Sequence, residues 1–228
     1  MKNDFESILL AAGSGKRFGL EIPKQFCEIN KNYTVIEKSL EAIAPFCRKI
    51  VLMLPEDFEP NKLVLSRLEE KAKVHNSKLC FLKGGSTRQS SVNKGFAEIN
   101  SEYVFIHDGA RPLVHKNDLQ ELLQNTLKYK AALLASPIND TIKQTKDNFI
   151  QKTIPRQHLW AAQTPQAFDR LIFQRALEMA QKQNFQATDD ACLVENLGFP
   201  VKIVEAYHLN FKITFQQDLD LLKALLKL

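Results

Sequence analysis

None of the four cysteines (Cys27, Cys47, Cys80, Cys192) stands at C-x-x-C spacing from another, and none has a histidine at ligand spacing. The four therefore read not as the ligands of a zinc site or as a disulfide frame but as reduced thiols, three of them beside or within apolar runs, as a cytoplasmic chain carries them. No stretch approaches the roughly 18 consecutive apolar residues of a membrane span. The N-terminus M-K-N-D-F-E-S holds two acids and leads straight into an apolar run, so no signal or transit peptide is expected. Repeats and low-complexity linkers are absent as well. Lys and Arg number 31 against 26 Asp and Glu, a net +5 without any basic block interleaved with aromatics. So diffuse an excess suits a small anionic substrate and not nucleic acid. The expected setting is a cytoplasmic protein with no membrane or nucleic-acid partner. Its 228 residues suffice for a well-buried α/β core.

Two familiar glycine loops are missing too. The P-loop needs G-x-x-x-x-G-K-[ST], but here Lys16 follows G-S-G and Arg17 follows it. The dinucleotide fingerprint G-x-G-x-x-G fails because Phe18 takes the third position and Gly19 comes one residue late. What stands there instead is L-L-A-A-G-S-G-K-R-F-G-L-E-I-P-K-Q, from Leu9 to Gln25. An apolar strand opens into a loop where Gly13 and Gly15 let the main chain approach an anion or adopt angles other residues resist. Lys16, Arg17 and Lys24 add positive charge within one loop's reach, a pattern suited to a nucleoside triphosphate. The plainer alternative is a strand-to-helix turn that merely uses glycine.

Short apolar runs alternate with helically periodic segments. Strands are predicted at Ser7–Leu10, Lys49–Leu54, Lys78–Leu82, Tyr103–His107, Ala131–Ser136 and Val201–Val204. Helices are predicted at Val35–Ala44, Asn61–Lys73, Ser90–Glu98, Asn117–Lys128, Asp169–Gln183, Asp189–Asn196 and Asp218–Leu226, with Asn117 and Thr188 read as caps. Buried strands separated by helices imply an α/β, doubly wound, largely parallel sheet. Ile142–Gln144 and Phe149–Lys152 flank the turn composition K-D-N, which reads as a β-hairpin projecting from the body or lying at its edge.

Ligands of open α/β sheets bind at the carboxyl ends of the strands. Four ends converge there: the glycine loop, Gly84-Gly85-Ser86-Thr87-Arg88-Gln89-Ser90-Ser91, His107-Asp108-Gly109-Ala110-Arg111-Pro112, and Ser136 to Thr141. Asp108 either caps a turn or holds Mg²⁺ or a ribose hydroxyl, and Arg111 is either a surface ion-pair residue or an anion ligand. His107 reads as a packed strand residue. Thr188-Asp189-Asp190 opens a helix whose N-terminus can receive a phosphate. Asn210-Phe211-Lys212-Ile213-Thr214 alternates like a strand and sets a lysine among apolar residues, costly unless it meets an anion.

In order along nearly the whole chain stand A-A-G-S-G-K-R, P-K-Q-F, G-G-S-T-R-Q-S-S-V, H-D-G-A-R-P, D-T-I-K, W-A-A-Q-T-P-Q-A-F, A-T-D-D-A and N-F-K-I-T. Together they resemble the 2-C-methyl-D-erythritol 4-phosphate cytidylyltransferases. Phe18 departs from the family's usual methionine and Gly109 from its common alanine. The resemblance implies one Rossmann-like nucleotidyltransferase domain over residues 1–228, with a β-arm insertion at about 138–156. Because the chain stops after Asp218–Leu226, no fused cyclase domain is expected. The implied reaction joins CTP and methylerythritol phosphate into CDP-methylerythritol and pyrophosphate. By likeness, Arg17, Lys24, Arg156 and Lys212 are the catalytic charges. Ala11, Ala12, Gly13, Ser14, Gly15, Lys24, Gly84, Gly85, Ser91 and Asp108 bind CTP. Asp108, Arg111, Thr141, Arg156, Thr164, Thr188 and Lys212 bind the sugar phosphate. Mg²⁺ is expected through the triphosphate, with no dedicated protein ligand cage. A homodimer is expected too, its hairpin reaching into the neighbour's site.

A ribitol 5-phosphate cytidylyltransferase shares the glycine loop and P-K-Q, while W-A-A-Q-T-P-Q and T-D-D favour methylerythritol phosphate. A nicotinamide-dependent oxidoreductase fails on fingerprint spacing. A silent nucleotide-binding protein would not need Arg17, Lys24, Arg156 and Lys212.

Overall fold

The computed structural model describes residues 4–13, 18, 22–31 and 33–226. Its elements run β1 (Phe5–Leu10), a 3₁₀ turn (Lys24–Phe26), β2 (Glu28–Asn30), β3 (Tyr33–Thr34), α1 (Val35–Ile43), β4 (Lys49–Leu54), α2 (Lys62–Val74), β5 (Lys78–Lys83) and α3 (Arg88–Phe96). They continue through β6 (Tyr103–Asp108), α4 (Lys116–Tyr129), β7 (Ala131–Pro137), β8 (Ile142–Lys146), β9 (Phe149–Ile154), β10 (Trp160–Asp169), α5 (Arg170–Lys182), α6 (Asp190–Asn196), β11 (Lys202–Glu205) and α7 (Gln216–Leu225). One sheet has the order β11-β7-β10-β6-β1-β4-β5. Every pairing in it is parallel except those of β10, which runs antiparallel between β6 and β7.

Alternation along the strands explains why both faces are covered. Phe5, Leu9, Ile50, Leu52, Phe105 and Leu134 face one cluster with Ile36, Leu40, Leu68 and Leu122 of α1, α2 and α4. Ile8, Val51, Met53, Val104, Ile106 and Leu133 face the other, with Val92, Phe173 and Val194 of α3, α5 and α6. Strands buried on both sides read as continuous apolar runs. Each fully buried Leu, Ile, Val or Phe stabilises the fold by about 1.5–3 kcal/mol through burial. A third cluster packs α7 (Leu219, Leu222) on Ile29, Ala110 and Ile213. No described helix is long and apolar enough to cross a membrane.

Several expectations need correction. Trp160–Phe168, outside every predicted strand and helix, lies in the interior strand β10, with a register shift between Ala162 and Gln166 and a cis Thr164–Pro165 bond. Asn210–Thr214, read as a strand, belongs to none: the Ile213 amide donates to the Ala110 carbonyl (2.8 Å), and Ile213 is drawn into the third cluster. The cap of α4 is His115 and not Asn117, and that of α6 is Asp189 and not Thr188. The hairpin expectation matches: β8 and β9 form a separate, almost fully exposed sheet. Asp147 (φ 49°) and Asn148 (φ 63°) take the left-handed conformations of a two-residue hairpin turn.

Candidate active site

At the carboxyl ends of β1, β4, β5 and β6 lies a cavity of about 770 Å³, within the range of small-molecule sites. The 3₁₀ turn shapes one wall. Buried Gln25 donates through Nε2 to the carbonyls of Ala11 and Gly13 (3.0 Å for the latter), tying the end of β1 down, while Lys24 lines the cavity. Opposite, the Gly84 amide donates to the Leu54 carbonyl (2.8 Å) and the Gly85 amide to Ser91 Oγ (3.0 Å). Thr87 caps α3, with the Ser90 amide donating to its Oγ1 (3.0 Å), so the helix starts at the cavity wall with Arg88.

Asp108, at the end of β6, is the hub. Lys212 Nζ donates to its Oδ2 at 2.7 Å, with Arg88 Nε 3.7 Å from Oδ1 and Arg111 Nε 3.7 Å from Oδ2. Burial acts to raise the carboxyl's pKa, but Lys212, Arg88 and Arg111 outweigh it and hold Asp108 well below the usual range. Arg88 is itself gripped by Asp190 through two parallel bonds, Nη1 to Oδ1 at 2.9 Å and Nη2 to Oδ2 at 2.6 Å. Desolvation disfavours the guanidinium charge, and Asp190 opposite more than restores it. Arg111 points its Nη1 at the Asn210 carbonyl (2.7 Å), joining β6 to the segment that carries Lys212.

Behind Asp108 runs a closed relay. The Asp108 amide donates to Thr164 Oγ1 (2.9 Å), and the Thr164 hydroxyl donates to His107 Nδ1 (3.2 Å). His107 Nε2 then donates to the Arg111 carbonyl (3.0 Å), which can only accept and so sets the tautomer. His107 is a packed strand residue, fully buried, and burial lowers its pKa from 6.5 to about 4. The unfolded chain therefore binds more protons between those values, and stability present at neutral pH is lost as pH falls through the window. The loss is on the order of 3 kcal/mol at ~1.4 kcal/mol per pH unit of separation. Denaturant midpoints between pH 7 and pH 4 should fall for the parent chain and flatten in His107→Gln; parallel profiles would refute this assignment.

Of the expected residues, the cavity lining unites Ala11, Ala12, Gly13, Lys24, Gly85, Ser91, Asp108 and Lys212, with Gly84 directly behind Ser91 and Ala12. Arg17, Ser14 and Gly15 lie outside the described residues. Arg111 and Thr164 orient Asp108 from behind the wall. Thr141, Arg156 and Thr188 do not line the cavity. The α6 N-terminus is not open to a phosphate: the Cys192 amide donates to Asp189 Oδ1 (3.0 Å) and the Ala191 amide to Gln166 Oε1 (2.8 Å). Nor does Gly13 take a left-handed φ, and an added Cβ there would meet no described atom within 4 Å. Sequence reasoning assigned no role to Arg88, Asp190 and Gln25, though each sits inside a quoted motif. An arginine entering a helix straight after a glycine turn was the one available signal.

Residues 6–228 match the family model of 2-C-methyl-D-erythritol 4-phosphate cytidylyltransferase. Among curated proteins of that name, the one from Geobacillus thermodenitrificans is 39% identical over 226 residues, 98% of this chain and 97% of its own. The one from Aquifex aeolicus is 36% identical over 222 residues, covering 97% of both. The crystal structure of the Thermus thermophilus cytidylyltransferase superimposes with a TM-score of 0.81 at 31% identity, covering all of both chains. That of the Francisella tularensis protein gives 0.78 at 28% identity, over 99% of this chain and all of its own.

Proposed function

Since the chain belongs to the 2-C-methyl-D-erythritol 4-phosphate cytidylyltransferase family, it moves a cytidylyl group from CTP to that sugar phosphate, and we propose that the cavity over Asp108 is where the two anions meet. One observation carries the assignment: Lys24, Arg88 and Lys212 line the same glycine-walled cavity as one buried carboxylate. A phosphate oxygen of the acceptor attacks the α-phosphorus in line. The bond from phosphorus to the bridging oxygen breaks, and pyrophosphate leaves with that electron pair. The protein has little covalent work to do, so positioning and charge neutralisation supply the rate.

In this reading Lys24, with Arg17, meets the triphosphate, and the Ala11–Gly13 backbone cradles it. Gly84, Gly85 and Ser91 form a slot without large side chains for the pyrimidine. Asp108 faces the ribose, and Lys212 neutralises charge where acceptor and α-phosphate meet. Arg88 keeps Asp108 ionised while Asp190 keeps Arg88 in place. A divalent cation such as Mg²⁺ fits the donor set, because Asp108, Asp57 and Glu56 of the lining offer only hard carboxylate oxygens. It would offset triphosphate charge, held mainly by phosphate oxygens because Lys212 already occupies Asp108.

The β8–β9 hairpin is assigned as an arm that completes a partner's cavity in a homodimer. Support comes from Phe149 (75% exposed) and Ile150 (63% exposed) at its tip, and from Thr141 and Arg156 lying at its base outside their own cavity. Pyrophosphate release should require CTP and methylerythritol 4-phosphate, with ribitol 5-phosphate inert; the reverse preference would overturn the acceptor. Mixing Lys212→Ala with Arg156→Ala chains should restore activity toward about a quarter, since half the dimers then hold one intact site in two. No restoration after subunit exchange would put the arm on its own chain's site.

A further inference from the structure

Away from the cavity, at the start of α4, three side chains meet that the cytidylyl transfer does not use. His115, Asp118 and His208 each offer a ligand atom, and these lie within 4.8 Å of one another. The Asp118 side chain is only 3% exposed, yet one histidine satisfies both its oxygens: the His208 amide donates to Oδ2 (3.1 Å) and His208 Nδ1 donates to Oδ1 (2.9 Å). The His115 and His208 rings stack with centroids 3.6 Å apart. His115 Nδ1 already presents a lone pair, accepting the Asn117 amide at a long 3.3 Å.

We propose that His115, Asp118 and His208 form a site for a divalent transition-metal ion of the zinc class. Two imidazoles and one carboxylate are the donor set such ions favour, whereas Mg²⁺ prefers oxygen alone. In a tetrahedral site with ~2.0–2.1 Å bonds, neighbouring ligand atoms stand ~3.3 Å apart. His208 Nδ1 and Asp118 Oδ1 are already at 2.9 Å, bridged by a proton that the ion replaces. For His208 that proton leaves Nδ1 and Nε2 takes one up from solvent, freeing the Nδ1 lone pair for the ion. The stacked planes, 19° apart, require one ring to turn toward the ion. His208 can do so because its side chain is 42% exposed while its amide stays on Asp118 Oδ2. Water fills the remaining position.

The ion would pin the segment after β11 to α4. That segment carries Asn210, whose Nδ2 donates to Gln163 Oε1 and to the Thr164 carbonyl (both 2.9 Å), and then Lys212. The test is a Zn²⁺ titration of the full chain without nucleotide, by competition with a chromophoric chelator, together with thermal melting and Co²⁺ absorption spectra. One equivalent should bind, raise the melting temperature by several degrees, resist millimolar Mg²⁺, and give a Co²⁺ spectrum without a thiolate charge-transfer band. Affinity should fall ~10–100-fold or more in His208→Ala and in His115→Ala, as expected when a metal site loses a supporting group. His208→Asn, which keeps a polar side chain on an exposed loop, guards against a folding defect. Absence of binding, binding unchanged in all three variants, or a thiolate spectrum would each overturn the site.

Discussion

Lys212→Ala is expected to lower kcat/KM for cytidylyl transfer ~10²–10³-fold, the cost typical of removing one preorganised charge from a transition state. Its ammonium is 2.7 Å from Asp108 Oδ2 in the cavity lining, so its loss strips the contact closest to the hub. Arg88 and Arg111 remain at 3.7 Å, enough to keep Asp108 ionised but not to replace a donor facing the substrates. The fold should hardly notice, because the Lys212 side chain is 38% exposed and Ile213 beside it keeps its place in the third cluster. Steady-state kinetics together with a melting curve separate the two effects. A loss under about fivefold, or a collapse in melting temperature matching the loss in rate, would remove Lys212 from the chemistry.

Gly84→Ala should be nearly as damaging by a different route. A Cβ at this position would stand 2.3 Å from Ala12 Cβ, 2.9 Å from Ser91 Oγ and 3.3 Å from the Leu54 carbonyl. Ala12 has no rotamer to change, so the β1 loop must retreat by about 1 Å, and misplacement on that scale costs ~10²-fold in rate. Overpacking also costs about 1–3 kcal/mol of stability. KM for CTP should rise and kcat fall, while Gly13→Ala, whose Cβ would meet no described atom within 4 Å, stays far milder. Equal effects of the two substitutions would show that space behind the slot does not matter.

Strands with apolar residues on both faces were legible because nothing interrupts them: β1, β4, β5, β6 and β7 appear within two residues of the expected bounds. β10 escaped because Pro165 and the polar Gln163 and Gln166 break its pattern, and proline argues against a central strand unless a bulge absorbs it. In the structure Gln166 is buried and bonded to Asp189 (2.8 Å) and to the Ala191 amide, partners no local pattern announces. Asn210–Thr214 misled in the opposite sense, alternating for contact with α7 and not for a sheet. Within the site, convergence of strand ends brought Asp108 together with the glycine turns. The Arg88–Asp190 pair spans 102 positions and becomes visible only in three dimensions.

The hairpin leaves the sheet between its two neighbouring strands β7 and β10. β7 and β10 are adjacent, with Pro137 paired to Trp160, and the Ile138 amide donates to the Leu159 carbonyl (3.2 Å) just beyond them. Both ends of the appendage are thus fastened to each other before it begins. Excising segment 139–158 and closing β7 onto β10 with a tight turn is therefore expected to leave the rest of the sheet folded while removing Thr141 and Arg156 along with the hairpin.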